Sequence, residues 1–177
     1  DLWGGEKRHA ASLNFVLYTM GGAIFILIGI IVVYRLTPTQ SFAMAAIAQA
    51  AATLPRENQM WLLLAFLVGF GVKIPIFPLH GWLPLAHVEA PSPVSILLSG
   101  VLLKMGAYGL LRVAPMLPEG AMALQPLLAG IALASILYGG LLAWRQTDLK
   151  AMIAYSSVSH MGVVVLGISA LNETGLL

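Results

Sequence analysis

Apolar residues fill this chain in five long runs, with short polar stretches between them. The runs cover residues 13–34, 59–79, 93–112, 122–144 and 149–170. A helix needs ~20 apolar residues to span a bilayer, so each run is expected to form one crossing. The fold class that follows is an all-α integral membrane bundle, and the lipid bilayer is its first partner. The connector 35–58 differs: Pro38 and Pro55 bracket an alanine-rich segment from Ser41 to Leu54, too short to span. A helix lying on the membrane surface is expected there. Residues 1–12 read as a polar turn, 115–120 as a turn, and 145–150 as a tight charged loop.

The interruptions in this pattern carry the candidate chemistry. Lys73 stands inside the second run, and Lys104 inside the third. A charge at the centre of a spanning helix costs roughly 2.5–3.5 kcal/mol on insertion scales and by default marks a functional site. Pro75 and Pro78 follow Lys73 at once. Each proline lacks an N–H and clashes with the carbonyl four residues back. The second helix should therefore break there and free the carbonyls of Gly71 and Ile74. Broken backbone is tolerated at membrane depth only where protein or a water-filled cavity satisfies it. The plainer alternative is a kink near the helix exit.

The fifth run is interrupted by Tyr155, Ser156, Ser157, Ser159 and His160. With a rise of 1.5 Å per residue, Lys73, Lys104 and His160 each fall about 15–20 Å into their helices. All three then lie near the middle of a ~30 Å hydrocarbon core. Ionisable groups at one depth on successive helices suggest a proton path parallel to the membrane. Lysine suits such a relay, because burial disfavours its charged form and a nearby carboxylate restores it. His160 can titrate near neutral pH, with Ser156 and Ser157 one turn earlier on its face. Structural alternatives stand beside these roles. Lys104 can pair with a hydroxyl such as Tyr108, four residues on, and His160 can rest neutral against a serine.

Composition acts mainly by exclusion. Charged residues make up 9% of the chain and hydrophobic ones 59%, whereas soluble domains carry about 25% charged. A net charge of +2 gives no reason to expect a nucleic-acid partner. The absence of cysteine removes disulfides, thiolate metal sites and cysteine-ligated iron–sulfur clusters. Gly69 and Gly71 lie inside an apolar run and follow no strand, so no direct nucleotide binding is expected. His80, Trp82, His87 and Glu89 invite a metal or haem reading. The two histidines are seven residues apart across prolines, and no metal is expected. Packing of a short half-helix, hydrogen bonding at an interface, or a place at a proton entry fits His80, His87 and Glu89 better. Glu89 can also complement the N-terminus of the third helix. Trp3, Trp61, Trp82 and Trp144 fall near run ends, where an interfacial aromatic belt is expected.

The ordered set of motifs resembles one family. It comprises Lys73-Ile-Pro-Ile-Phe-Pro-Leu-His80-Gly-Trp82-Leu-Pro84, His87-Val-Glu89-Ala-Pro91, Pro93-Val-Ser95 and Leu103-Lys104-Met-Gly-Ala-Tyr108-Gly. Trp3-Gly-Gly-Glu-Lys-Arg8 and Ala154-Tyr-Ser-Ser-Val-Ser-His160-Met-Gly162 extend the match across almost the whole chain. The resemblance is to chain 4, or subunit M, of the proton-translocating NADH–quinone oxidoreductases, the complex I group. It implies an antiporter-like bundle within a fourteen-helix fold built from inverted repeats, each with a broken helix, a known transporter design. The chain would then be an internal piece of a longer subunit. The resemblance further implies that Lys73, Lys104 and His160 carry protons, and that Lys73 pairs with a glutamate on a preceding helix. NAD(P)H or ferredoxin, iron–sulfur clusters and quinone would be handled by other subunits, leaving this chain without a cofactor. Its partners would be the other membrane subunits, in a thylakoid or bacterial plasma membrane. Leu85 departs from the pattern, since many relatives carry a polar or charged residue there, and no proton-entry role is expected at that position. The rival readings are a subunit of a multi-subunit cation/proton antiporter, which shares the lysine-bearing helices, and a purely structural scaffold.

Overall fold

The computed structural model describes residues 4–36 and 42–172. Its elements are helices: α1 (Arg8–Leu36), α2 (Met44–Ala52), α3 (Arg56–Lys73), α4 (Trp82–Glu89), α5 (Ser92–Leu97), α6 (Leu103–Val113), α7 (Pro118–Arg145) and α8 (Leu149–Ser169). A π-helical turn, Leu98–Leu102, joins α5 to α6 without a break, and a 3-10 turn, Ala114–Met116, ends that rod. Pro91 is the N-cap of α5.

Among the described residues, four helices are long and apolar enough to cross a membrane: α1, the rod Ser92–Met116, α7 and α8. The run expected at 59–79 takes another form. Helix α3 stops at Lys73, and after a turn-rich stretch the short α4 carries the chain onward. Arg56, Glu57 and Lys73 give α3 a more polar character than its neighbours, and it lies innermost, packed by α1, α6 and α7. Arg56 and Glu57 stay exposed in its first turn, and of the three only Lys73 is half-buried in the bundle, where a membrane charge finds protein around it. Leu62, Leu63, Phe66 and Leu67 of α3 form the centre of the core, with Leu110, Leu128, Val158 and Val165 around them. Helices α7 and α8 make an antiparallel pair, and α4 is wedged between α1 and α8. The outward side of α1 exposes Leu13, Leu17, Met20, Ile24, Leu27 and Ile31, a surface suited to lipid or further helices.

Among the connector's described residues lies helix α2, which packs Ile47 and Ala51 inward. Gln59, at the start of α3, fastens this region to the rest. Its side chain is 1% exposed. The amide donates to Ala52 O at 3.2 Å and Leu54 O at 2.9 Å, and its oxygen accepts from Glu119 N at 3.1 Å and Gly120 N at 3.3 Å. The last two are free N–H groups in the first turn of α7, donors that every helix start must place somewhere. Gln59 thus caps a helix sixty residues away.

Candidate functional site at the helix break

Helix α3 ends where its sequence can no longer supply donors. Pro75 cannot serve the Gly71 carbonyl, and Ile76 N takes it instead at 3.1 Å. The carbonyl expected to be free at Gly71 is therefore paired within the protein. The last rung of α3 is Ile74 N to Phe70 O at 2.7 Å. Val72 O accepts from the indole Nε1 of Trp82 at 2.9 Å. Phe77 N donates to Ser135 Oγ of α7 at 2.9 Å, and that hydroxyl donates to Ile131 O at 2.7 Å. Protein groups thus satisfy much of the broken backbone, as membrane depth requires.

Trp82 departs from the expected interfacial belt. It is 0% exposed and sets its ring edge-on to Phe15, centroids 5.3 Å apart. It is one of the residues that hold the break together, and its position next to a proline-marked turn was its only sequence signal. Trp61 and Trp144 are exposed near helix ends, while Trp3 lies outside the described residues.

Lys73 is the last residue of α3, half-buried, with its Cβ turned toward α6. Lys104 is exposed on α6, just after the π-helical turn, and its Nζ donates to the carbonyl of Ser99 inside that turn. Tyr108, the alternative partner for Lys104, lies instead beneath the guanidinium of Arg112, 5.7 Å from the ring centroid. The structure therefore packs Lys73 against the helix that carries Lys104, while the lysine head of Lys104 stays on an open face.

His160 is exposed on α8, its Nδ1 3.5 Å from Ser156 Oγ. Ser157 bonds its own helix at Ile153 O instead, at 3.0 Å. His80 and His87 are buried, and neither His80 Nδ1 nor His87 Nε2 meets a hydrogen-bonding partner among the described residues. His80 stands among Phe77, Tyr138 and Tyr155, which connects the break to α7 and α8. Among the described residues no group of three or more His, Asp or Glu could hold a metal ion.

Glu89 serves a helix other than the one it precedes. Its Oε2 accepts from Lys7 N at 3.0 Å and its carbonyl from Gly5 N at 3.1 Å, both at the start of α1. A Cβ on Gly4 would stand 2.9 Å from that carbonyl, and one on Gly5 would overlap the carboxylate. Gly4 also has φ +135°, so this approach needs glycine at both places. Lys150 of α8 closes the junction by donating to Ala90 O at 2.9 Å. Glu89→Ala is expected to lower stability by about 0.5–2 kcal/mol, the usual cost of losing a helix cap. Glu89→Gln, which keeps an acceptor oxygen, should cost less. Thermal melting of the purified assembly checks the order, and equal melting of both variants would remove the capping role.

Residues 1–176 match the family described as NADH:quinone oxidoreductase/Mrp antiporter, TM. NAD(P)H-quinone oxidoreductase chain 4 3 of Picosynechococcus sp. is 47% identical over 177 residues, covering 99% of this chain and 32% of that protein. The chain thus spans about a third of the length of the curated relatives it matches. Among solved structures, respiratory complex I from Thermus thermophilus with bound NADH aligns at TM-score 0.87 and 37% identity, over 96% of this chain and 36% of that one. The Mrp complex from Dietzia sp. aligns at TM-score 0.82 and 26% identity, over 93% and 18%. With its apolar helices, broken central helix and match along nearly its full length, the chain is a multi-pass membrane protein that belongs to the NADH:quinone oxidoreductase/Mrp antiporter transmembrane family.

Proposed function

We infer that this chain is part of an antiporter-like subunit of a complex I-type NAD(P)H or ferredoxin:quinone oxidoreductase and moves protons through Lys73, Lys104, His160 and water. Quinone reduction and electron transfer belong to other subunits, in a thylakoid or bacterial plasma membrane. The observation that carries this reading is the position of Lys73: a half-buried lysine ending the innermost helix at a break closed by Trp82, Ser135 and Ile76. A lysine at such a place can bind and release a proton, and the break gives its surroundings freedom to rearrange. The buried ring nitrogens of His80 and His87 add polar stations between the break and the membrane face that carries Glu89. Of the two structural likenesses, complex I is the nearer in identity, 37% against 26% for the Mrp complex. That ordering favours quinone-coupled over sodium-coupled transport.

The test is Lys73→Arg in the full-length subunit of the intact complex, with assembly checked by purification. Arginine keeps the charge but does not release its proton. Protons translocated per electron should fall to a small fraction of the wild-type value, and coupled quinone reduction should slow with them. A wild-type ratio in an assembled variant would make Lys73 an electrostatic anchor and end the relay reading. Co-purification with sodium-antiporter subunits in place of quinone-reducing ones would favour the antiporter alternative.

A further inference from the structure

Helix α6 meets the end of α3 along two glycines one turn apart, and they face different obstacles. A Cβ on Gly109 would overlap the ring of Phe70, the far end of a side chain that can turn aside. A Cβ on Gly106 would stand 2.8 Å from Lys73 Cβ, 3.0 Å from Ile74 Cγ1 and 3.1 Å from Ile74 N. Of these, Lys73 Cβ and Ile74 N cannot yield without moving the end of α3. Ile74 N is already committed to Phe70 O, and Val72 O is held by Trp82 from the other direction. The backbone on either side of Lys73 is therefore fixed, and α6 reaches its Cβ only because position 106 has no side chain.

We propose that Gly106 is a positioning residue for Lys73: the bare backbone at this point of α6 sets the direction in which the lysine leaves the helix break. The inference rests on the relay reading above and deepens it. Lys104 lies two residues earlier on the same helix. The spacing of α3 and α6 at Gly106 therefore also sets how far apart the two lysine-bearing backbones stand. An alanine methyl at 106 would push the root of Lys73 away from α6 by a few tenths of an ångström or more, while leaving its charge and chemistry intact. Proton transfer is sensitive to such displacement, since a misplacement of ~1 Å can cost about 100-fold.

Three glycine variants of the full-length subunit, each in its intact complex, test the idea. Gly106→Ala should assemble, yet its protons translocated per electron should fall about five- to tenfold. The pH profile of its coupled quinone reduction should also be displaced from wild type. Gly100→Ala applies the same change to the same helical rod, where no atom of the described residues lies within 4 Å, and should match wild type throughout. Gly109→Ala should lower the melting temperature while leaving the per-electron ratio and pH profile unchanged. A wild-type ratio and profile for Gly106→Ala overturns the proposal, as does an equal loss in Gly109→Ala, which would assign both glycines to packing alone. Should Gly106→Ala fail to assemble, Ile74→Ala is added to clear the Cγ1 contact and leave the contact with Lys73. The double variant is then expected to show the same loss, and its failure to assemble overturns the proposal too. Lys73→Arg separates this from the underlying reading. If Lys73→Arg abolishes translocation and Gly106→Ala does not reduce it, only the positioning role fails. If Lys73→Arg translocates normally, the relay itself fails.

Discussion

Trp82→Ala is expected to stop the intact complex from accumulating, although Trp82 carries no charge and titrates nothing. Removing a buried tryptophan costs about 3–5 kcal/mol in aqueous cores. Part of that cost reflects transfer from water, and helices in lipid gain little from it. The cavity and the lost contacts with Phe15 and its neighbours remain. In addition, Val72 O loses its indole donor, and an unpaired buried carbonyl costs about 1–3 kcal/mol. Together these approach the total stability of many folded domains, ~5–15 kcal/mol. Trp82→Phe separates the contributions, because it keeps most of the ring and drops the N–H. That variant should accumulate, melt at a lower temperature than wild type, and lose about 1–3 kcal/mol. The amount of complex recovered in mild detergent and its melting temperature give the readings. Wild-type recovery of Trp82→Ala would show that the break holds without this indole.

Gln59→Leu should produce the next largest loss. The glutamine serves two carbonyls, Ala52 O and Leu54 O, and two N–H groups, Glu119 N and Gly120 N. Leucine serves none of them. If water recovers two of the four, the remaining cost is about 2–6 kcal/mol, at roughly 1–3 kcal/mol per unpaired buried group. Gln59→Glu retains the acceptor for α7 but turns a second oxygen onto the carbonyls of Ala52 and Leu54, and a buried carboxylate adds its own cost, so it should lose at least as much as leucine. Limited proteolysis between α2 and α3 offers a local reading beside thermal melting. Cleavage should rise in both variants. Unchanged melting and cleavage for Gln59→Leu would mean the four backbone groups have other partners.

Periodicity located the apolar runs because lipid-facing residues dominate a membrane helix. The place of the break was also legible, since Pro75 and Pro78 act through covalent chemistry that no tertiary contact can cancel. What closes the break was not. The Gly71 carbonyl finds Ile76 N one residue beyond the proline, and Val72 O finds an indole ten residues on; neither pairing has a sequence signature. Trp82 reads like an interface anchor because hydropathy cannot distinguish a short buried half-helix from a loop at the membrane face. Gln59 reads like the polar start of a helix, and its actual duty to α7 exists only once the helices pack. Glu89 shows the same limit, since proximity in sequence pointed to the helix after it and the structure gave it to α1. The exposed faces of Lys104 and His160 show a limit of another sort. Such groups need polar company at membrane depth, and the relatives are about three times as long as this chain.

The two clamps of this bundle have a mechanical consequence. At one end of the broken element, Gln59 fixes the first turn of α3 to α2 and α7. At the other, Glu89 and Ala90 fix the end of α4 to α1 and α8. A rod pinned at both ends cannot slide along its axis; a load applied to it must appear as bending at its weakest section. Here that section is residues 74–81, where no helical ladder runs. Lys73 sits at its edge. On the proposed relay, a charge arriving beside this lysine would load that joint, which Ser135 ties to α7 and the ring contacts of His80 with Tyr138 and Tyr155 tie to α7 and α8.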